Sequence, residues 1–447
     1  MSETASDFET LLSRLDRRDA VLGIVGLGYV GLPLALASLE AGFSVLGFDI
    51  NVGRVNAINT AQQVISYIPA EVMQAAVDGG RFSATTDFER LAEADAILIC
   101  VPTPITRHRD PDLSYVVDTA TTISKYLRRG QLVVLESTTW PGTTREIVQP
   151  LMEKSGLVVG KDVFLAFSPE REDPGNPNFS TKTIPKVVGA DDPQSRAVAV
   201  KLYEGIISKV VAVSTAGAAE AAKLTENIFR SVNIALVNEL KLVYGAMGID
   251  VWEVIAAAAT KPFGYMAFYP GPGLGGHCIP VDPFYLTWKA REYGMETRFI
   301  ELAGQINTHM PRNVVDRLAE ALNESSGKGL KAAKILLLGV AYKKNVDDTR
   351  ESPSLVLIEL IEGRGGTCDF HDPHIATIPA TREHPGLSGR KTVDLTASTI
   401  AGYDAVLVST DHDDVDYGLI AKHARLIVDT RNVFARLGLT PDNIVKA

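Results

Sequence analysis

Val21-Leu22-Gly23-Ile24-Val25-Gly26-Leu27-Gly28-Tyr29-Val30-Gly31 is the stretch from which the fold of this chain is read. The uncharged run 21–25 suits a strand buried on both faces of a sheet. Gly26, Gly28 and Gly31 follow at G-x-G-x-x-G spacing, and an Ala/Leu-rich helical run, 32–41, comes next. Strand, glycine turn and helix in that order make a dinucleotide site: Gly26 permits the sharp turn, Gly28 lets the backbone approach a pyrophosphate, and Gly31 lets helix and strand pack closely. Leu27, Tyr29 and Val30 complete that turn. A second apolar strand, 44–49, ends in Asp49, 18 residues past Gly31. An acid there accepts hydrogen bonds from an adenosine ribose and repels a 2′-phosphate, so NAD is expected over NADP. Arg54 nearby keeps NADP open. The blander alternative is a structural glycine turn that binds no dinucleotide.

Outward from this unit, further apolar strands are expected at 96–101, 132–136, 163–167 and 186–189, separated by helical stretches. That alternation indicates a parallel sheet covered on both faces. Val101-Pro102-Thr103-Pro104 and Ser137-Thr138-Thr139 follow strand ends, where ligands bind in open parallel sheets. Phe8, Leu11, Leu12 and Leu15 suggest an amphipathic helix before the first strand. Residues 217–247 read as one helix, roughly 45 Å long at 1.5 Å per residue, with Leu224, Ile228, Val232, Leu236, Leu240 and Val243 forming an apolar stripe. Such a helix suits a domain connector and a dimer interface. A polar linker, 323–327, precedes a second strand–helix alternation at 334–340, 355–362, 367–371, 405–409 and 426–429. Its first turn, Gly339-Val340-Ala341-Tyr342-Lys343, lacks the G-x-G-x-x-G spacing. The expected class is α/β: two Rossmann-like parallel-sheet domains, 1–212 and 323–447, joined by a central helical domain, 213–322, with a long helix.

The bulk properties set limits. The 447 residues are 46% hydrophobic and 22% charged, with a formal net charge of -10. A chain this size holds about three domains. Its acidity is a poor match to nucleic acid or an anionic membrane. No apolar run approaches the ~20 residues of a membrane span, and residues 1–20 lack a secretory apolar segment. Three widely spaced cysteines, Cys100, Cys278 and Cys368, argue against a disulfide framework or a metal site and fit the cytosol.

Chemistry is expected where Gly271-Pro272-Gly273-Leu274-Gly275-Gly276-His277-Cys278-Ile279-Pro280-Val281-Asp282 places a cysteine in a glycine-rich turn, with an aspartate four residues on. The bland reading of a lone cysteine is a small buried hydrophobe; here the glycines and Asp282 favour a presented nucleophile. A thiol of pKa about 8.5 needs a positive partner near neutral pH, and Lys223 is the candidate. His277 reads as structural. Lys223 and Asn227, four apart on the long helix, share a face, and a cation with an amide donor stabilises a developing oxyanion. The alternative is a solvated helix face. Ser168-Pro169-Glu170-Arg171-Glu172-Asp173 follows a strand, offering Glu170 as a base and Arg171 as an anion contact, or else a polar surface loop. Tyr342, Lys343, Arg350 and Arg431 follow strand ends of the last domain and are placed to meet phosphates.

Taken in order, these motifs, with Glu136-Ser137-Thr138 and Asp348-Thr349-Arg350-Glu351-Ser352, resemble those of the nucleotide-sugar dehydrogenases. These are the UDP-glucose and UDP-N-acetylhexosamine 6-dehydrogenases, and the likeness spans about residues 21–433. The resemblance implies an NAD-binding first domain, a dimerising central domain and a UDP-sugar-binding last domain. It implies Cys278 as nucleophile, and Lys223, Asn227 and Asp282 as groups that stabilise oxyanions and shuttle protons. Glu170 matches the glutamate of thioester hydrolysis. Thr138 and Arg350 match cofactor contacts; Arg171, Glu172, Arg230, Gly273, Tyr342, Lys343 and Arg431 match UDP-sugar contacts, beside Lys223 and Asn227. The implied reaction takes C6 of a UDP-sugar through an aldehyde and a cysteine thioester to the uronate, releasing two NADH. His-Cys-Ile-Pro-Val-Asp and the pattern over 271–307 look closest to UDP-N-acetylglucosamine 6-dehydrogenases, with UDP-N-acetylmannosamine and UDP-glucose next. Pro262 stands where the family often has a substrate-binding Arg, with Lys261 beside it. The rivals are a one-step dehydrogenase of the 6-phosphogluconate type and a non-catalytic UDP-sugar or NAD sensor. A homodimer or larger homo-oligomer is implied.

Overall fold

Strand-forming runs and glycine turns build two sheets, one in each of two compact units: Met1–Glu226 with Phe284–Glu296, and Asn227–Pro283 with Thr297–Ala447. The computed structural model describes residues 6–65, 67–106, 110–171, 181–276, 279–381 and 383–447.

The first unit carries β1 (Val21–Val25), β2 (Ser44–Phe48), β3 (Phe82–Thr85), β4 (Ala96–Ile99), β5 (Leu132–Leu135), β6 (Phe164–Phe167), β7 (Lys186–Gly189) and β8 (Val210–Val213). Their order is β3-β2-β1-β4-β5-β6-β7-β8. From β3 through β6 every pair is parallel, as the apolar runs require. The expected parallel continuation stops there: β7 meets β6 antiparallel, Phe167 opposite Gly189, and β8 lies parallel to β7. A parallel return needs a crossover, usually a helix, and the intervening 168–185 contains Pro169, Pro174, Pro177 and Pro185, which disfavour one. The helix Asp7–Arg17 forms ahead of β1 as expected. Ser6 caps it in a capping box, and Leu11 and Leu15 are buried.

The second unit holds β9 (Lys334–Leu338), β10 (Thr367–His371), β11 (Ala405–Val408), β12 (Ile427–Asp429) and β13 (Ile444–Lys446), in the order β10-β9-β11-β12-β13 and parallel throughout. One face packs Val314, Leu318 and Leu322 of the helix Arg298–Ser326 with Leu355 and Ile358 of Pro353–Gly363. The other packs Ile400, Tyr417, Ile420 and Phe434. The polar linker expected at 323–327 is instead the last turn of the 29-residue helix and its cap, Gly327, at φ 67°. A glycine in the left-handed region is what a helix C-terminus selects.

The long helix expected at 217–247 is Ala216–Ala246, 31 residues. Its buried face carries a row of polar groups. Glu220, Lys223, Asn227, Ser231 and Asn238 are buried with Ala216, Ala219, Leu224, Ala235 and Val237, while Phe229, Leu236 and Val243 are exposed. Of the expected apolar stripe, only Leu224 is buried. Among the described residues, no helix is long and apolar enough to cross a membrane.

Candidate active site

At the end of β1, Gly26 takes φ 94°, and a Cβ on it would lie 2.5 Å from the Cys100 carbonyl oxygen. Gly31 is as constrained: a Cβ there would stand 1.9 Å from the Gly26 carbonyl oxygen. Gly28 differs. Nothing lies within 4 Å of the position its Cβ would take, so protein packing does not demand a glycine there. The helix Gly31–Glu40 begins without a side-chain cap; the Leu32 N–H is taken by the Gly28 carbonyl and Pro33 has none, so the Gly31 N–H is the one of its first three positions left for an anion. Leu27 is buried, Val30 half-buried and Tyr29 exposed. The buried Asp49 carboxylate accepts from the backbone N–H of Leu27 (3.0 Å) and Asn51 (2.9 Å) and from Arg54 Nη1 (3.1 Å). The acid read as a ribose ligand thus also fixes the glycine turn. Ser137 Oγ donates to the Val101 carbonyl (2.7 Å), tying the loops after β4 and β5 together. Tyr285 Oη donates to the Thr103 carbonyl (2.7 Å). Val101, Thr103 and Thr138 are half-buried, and Pro102 is exposed.

Beyond β6, the same unit places three buried groups beside Glu170. Lys186 Nζ lies 2.5 Å from Glu136 and 3.4 Å from Glu170. Tyr203 Oη donates to Glu136. Burial opposes the Lys186 charge, but the two carboxylates outweigh it and hold the ammonium above its usual range. The backbone N–H of Arg171 donates to Glu170 Oε1 (2.7 Å). The Arg171 guanidinium grips Glu226 (2.6 Å) and donates to the Pro185 carbonyl (2.6 Å). Glu172 lies outside the described residues.

On the long helix, Lys223 and Asn227 stand one turn apart, and both are buried. Burial rules out the solvated-face alternative. Among the described residues Lys223 makes no hydrogen bond or ion pair. In the second unit, Asn227 Nδ2 donates to Asp282 (2.5 Å), and its Oδ1 accepts from the exposed Arg230. The stretch 271–276 is packed closely. The Gly271 N–H donates to Asn238 (3.0 Å), and the Arg431 guanidinium would lie 2.6 Å from a Cβ on Gly271. Gly273, at φ 144°, abuts Pro353 and Pro311; Gly275 abuts Tyr342 and Pro353; the Gly276 N–H donates to the Arg350 carbonyl (3.2 Å). His277 and Cys278, which follow, lie outside the described residues. The Arg350 side chain is clasped by Asp348 (2.6 Å). Arg431 Nε donates to the Ser409 carbonyl (2.8 Å). Burial, with added repulsion from Arg431, pulls the Lys241 ammonium down to about 8. Tyr342 and Lys343 are half-buried.

The comparisons with known proteins run the length of this arrangement. The UDP-glucose/GDP-mannose dehydrogenase family matches through its NAD binding domain at residues 20–207, its central domain at 217–309 and its UDP binding domain at 336–436. The UDP-N-acetyl-D-mannosamine dehydrogenase of Pyrococcus horikoshii is 34% identical over 92% of this chain and 95% of its own. The chain belongs to the UDP-glucose/GDP-mannose dehydrogenase family. The UDP-N-acetyl-D-glucosamine 6-dehydrogenase of Pseudomonas aeruginosa is 35% identical over 89% of this chain and 92% of its own. The solved UDP-D-ManNAc dehydrogenase structure from Pyrococcus horikoshii superposes with a TM-score of 0.85 at 32% identity, covering 95% of this chain and 98% of that one.

As a dehydrogenase of this family, the protein takes NAD, and its first unit fits the cofactor. The open space at Gly28 and the uncapped helix suit a diphosphate, and Asp49 stands at the end of β2 for a ribose. The dehydrogenase also has groups that sequence reasoning gave no role: Lys186 and Tyr203 beneath Glu170, Asn238 and Asn307 pinning Gly271, and Lys241 beside Arg431. The legible signal for Lys186 was a charge opening the apolar run Lys186-Val187-Val188-Gly189.

Proposed function

We propose that this enzyme oxidises C6 of UDP-N-acetylglucosamine to the uronate, with Cys278 holding the sugar covalently between the two oxidations. The observation carrying the reading is the buried polar face of the long helix: Lys223 and Asn227 one turn apart, with Asn227 bonded to Asp282, four residues after Cys278. NAD, when bound, accepts the hydride of each oxidation. The residues do the rest. Asp282, held by Asn227, takes the proton leaving the C6 hydroxyl, and Lys223 with the Asn227 amide stabilises the oxyanion as Cys278 adds to the aldehyde. After the second oxidation, Glu170 takes a proton from the water that hydrolyses the thioester. Arg171, Glu172, Arg230, Gly273, Tyr342, Lys343 and Arg431 bind the UDP-sugar, and Thr138 and Arg350 the cofactor. In this reading 1–212 binds NAD, 213–322 dimerises and 323–447 binds the UDP-sugar, in the cytoplasm.

The N-acetylhexosamine preference is supported by the 271–307 pattern and by relatives named for UDP-N-acetyl-D-glucosamine and UDP-N-acetyl-D-mannosamine at nearly equal identity. UDP-N-acetylmannosamine is therefore the second reading. Offering UDP-N-acetylglucosamine, UDP-N-acetylmannosamine and UDP-glucose separately, and counting NADH per sugar consumed, tests it. Two NADH with UDP-N-acetylglucosamine and the highest kcat/KM are expected. One NADH per substrate would favour the single-step rival; none with any sugar nucleotide would leave a sensor.

A further inference from the structure

Glu170 is one of two carboxylates sharing a single ammonium. Glu136 follows β5, Glu170 follows β6, and Lys186 opens β7, the strand that reverses direction. That reversal sets the lysine between the two strand ends: 2.5 Å from Glu136 and 3.4 Å from Glu170, with only 5% of its side chain exposed. The Glu136 side chain is fully buried, so leaving it unpaired would be strongly unfavourable. Lys186 meets one of its oxygens and the fully buried Tyr203 hydroxyl meets the other. The lysine is therefore anchored from beneath. Its Nζ also stands 5.4 Å from the centroid of the Tyr203 ring. The part of Glu170 that remains accessible, 14% of its side chain, belongs to the one member of this cluster with any substantial exposure.

We propose that Lys186 is a positioning residue for the hydrolytic half of the reaction: clamped by Glu136 and Tyr203, it holds the Glu170 carboxylate in place as an anion. This rests on the reading of Glu170 as the base of thioester hydrolysis. In that step a water oxygen bonds to the thioester carbonyl carbon, and its proton passes to Glu170. The carbon–sulfur bond then breaks, and Cys278 leaves as the thiolate. A base for this purpose has to be ionised and aimed. Two carboxylates this close to one another do not both ionise readily without a cation between them. Among the described residues, Cys100, Tyr203 and Arg171 also stand near the pair. Burial keeps Cys100 a neutral thiol, its pKa pushed well above the usual range. Tyr203 is held protonated by burial and by Glu136. The Arg171 guanidinium is engaged by Glu226, while its backbone N–H supports Glu170. Among the described residues, Lys186 is an ammonium that pairs with both acids.

The full-length enzyme tests this with three variants. Lys186→Met should slow steady-state turnover by about 10- to 100-fold, the loss typical of a misplaced catalytic group. It should still release a first burst of NADH, accumulate an acyl adduct on Cys278 visible by intact-protein mass, and shift the acid limb of the kcat profile to higher pH. Lys186→Arg, which keeps the charge, should restore most of the rate. A folded Lys186→Met enzyme with no adduct and an unmoved pH profile would overturn the proposal. So would Lys186→Arg as slow as Lys186→Met. Should Lys186→Met fail to fold, Glu136→Gln carries the test. It leaves Glu170 as the sole acid paired with Lys186 among the described residues, so the acid limb should move to lower pH; an unmoved limb overturns the proposal. Glu170→Gln separates this from the underlying reading. If it hydrolyses its thioester normally, the assignment of the base fails. If it stalls while Lys186→Met does not, only the role of Lys186 fails.

Discussion

Asp49 has more than one duty. By accepting from the Leu27 N–H it fixes the glycine turn, and we propose that it also meets the adenosine ribose and so selects the cofactor. Asp49→Ala is expected to weaken NAD by roughly 10- to 100-fold, the worth of one or two hydrogen bonds to a charge, and NADP by less. Dissociation constants for both cofactors would show it, and equal losses would deny the selective role. Lys241 gives a second, pH-dependent expectation. Its ammonium is pulled down to about 8 by burial and by Arg431. From about pH 8 to its unfolded value near 10.4, the folded chain binds fewer protons than the unfolded one, so this group makes stability rise with pH across that window, while below it the penalty is fully present and constant. Lys241→Met should flatten the rise in chemical denaturation. Cys278→Ser, in turn, should abolish uronate formation while NAD binding persists, and undiminished uronate from the purified variant would contradict the covalent route.

Elements, more than residues, decide what a glycine is for. Gly31 and Gly28 belong to one motif, yet a Cβ on the first strikes a carbonyl oxygen at 1.9 Å and a Cβ on the second meets nothing. Gly31→Ala should destabilise the first unit by on the order of 1–3 kcal/mol, since backbone has to move. Gly28→Ala should leave stability within about 0.5 kcal/mol, as an exposed change does, while weakening NAD. Thermal melts with and without cofactor would separate the two, and equal melting losses would refute the distinction. At this scale the sequence was informative where strands are central. β1, β2, β4, β5, β6, β9 and β11 are near-continuous apolar runs and were legible. β3 and β13 lie at sheet edges, are short and partly exposed, and carry no such signal, while β8, also an edge strand, is the apolar run Val210–Val213 that the reading passed over. The antiparallel turn of β7 was illegible for a related reason, because strand direction is set by the connection and not by the strand's own residues.

For the molecule as a whole, the long helix carries two messages that its sequence mixed. Its apolar residues suggested a buried stripe, yet the structure buries Lys223, Asn227, Ser231 and Asn238 and exposes Phe229, Leu236 and Val243. The exposed three recur every seven residues, the spacing of a helix seam that meets another helix. We propose that this exposed apolar face is where the homodimer expected from the family forms. Leu236→Glu should halve the mass seen by sedimentation equilibrium at low micromolar concentration, and an unchanged mass would remove this face from the interface. The candidate site was legible where motifs carry it, at the glycine turn, the Lys223 to Asn227 face and Asp282. It was not legible where groups distant in sequence converge, as Lys186 does on Glu136 and Glu170, since one chain gives no cue to such meetings.

The clasp on residues 271–276 by Tyr342, Pro353 and the Arg350 carbonyl has a practical corollary. The peptide that leads into Cys278, the proposed nucleophile, borrows its shape from a loop of the second sheet, more than fifty residues downstream. Mild heating or nicking that loosens that sheet would then leave a protein still able to retain dinucleotide on a Blue Sepharose column, yet chemically silent. Loss of turnover, in other words, would run ahead of loss of coenzyme affinity as the enzyme ages.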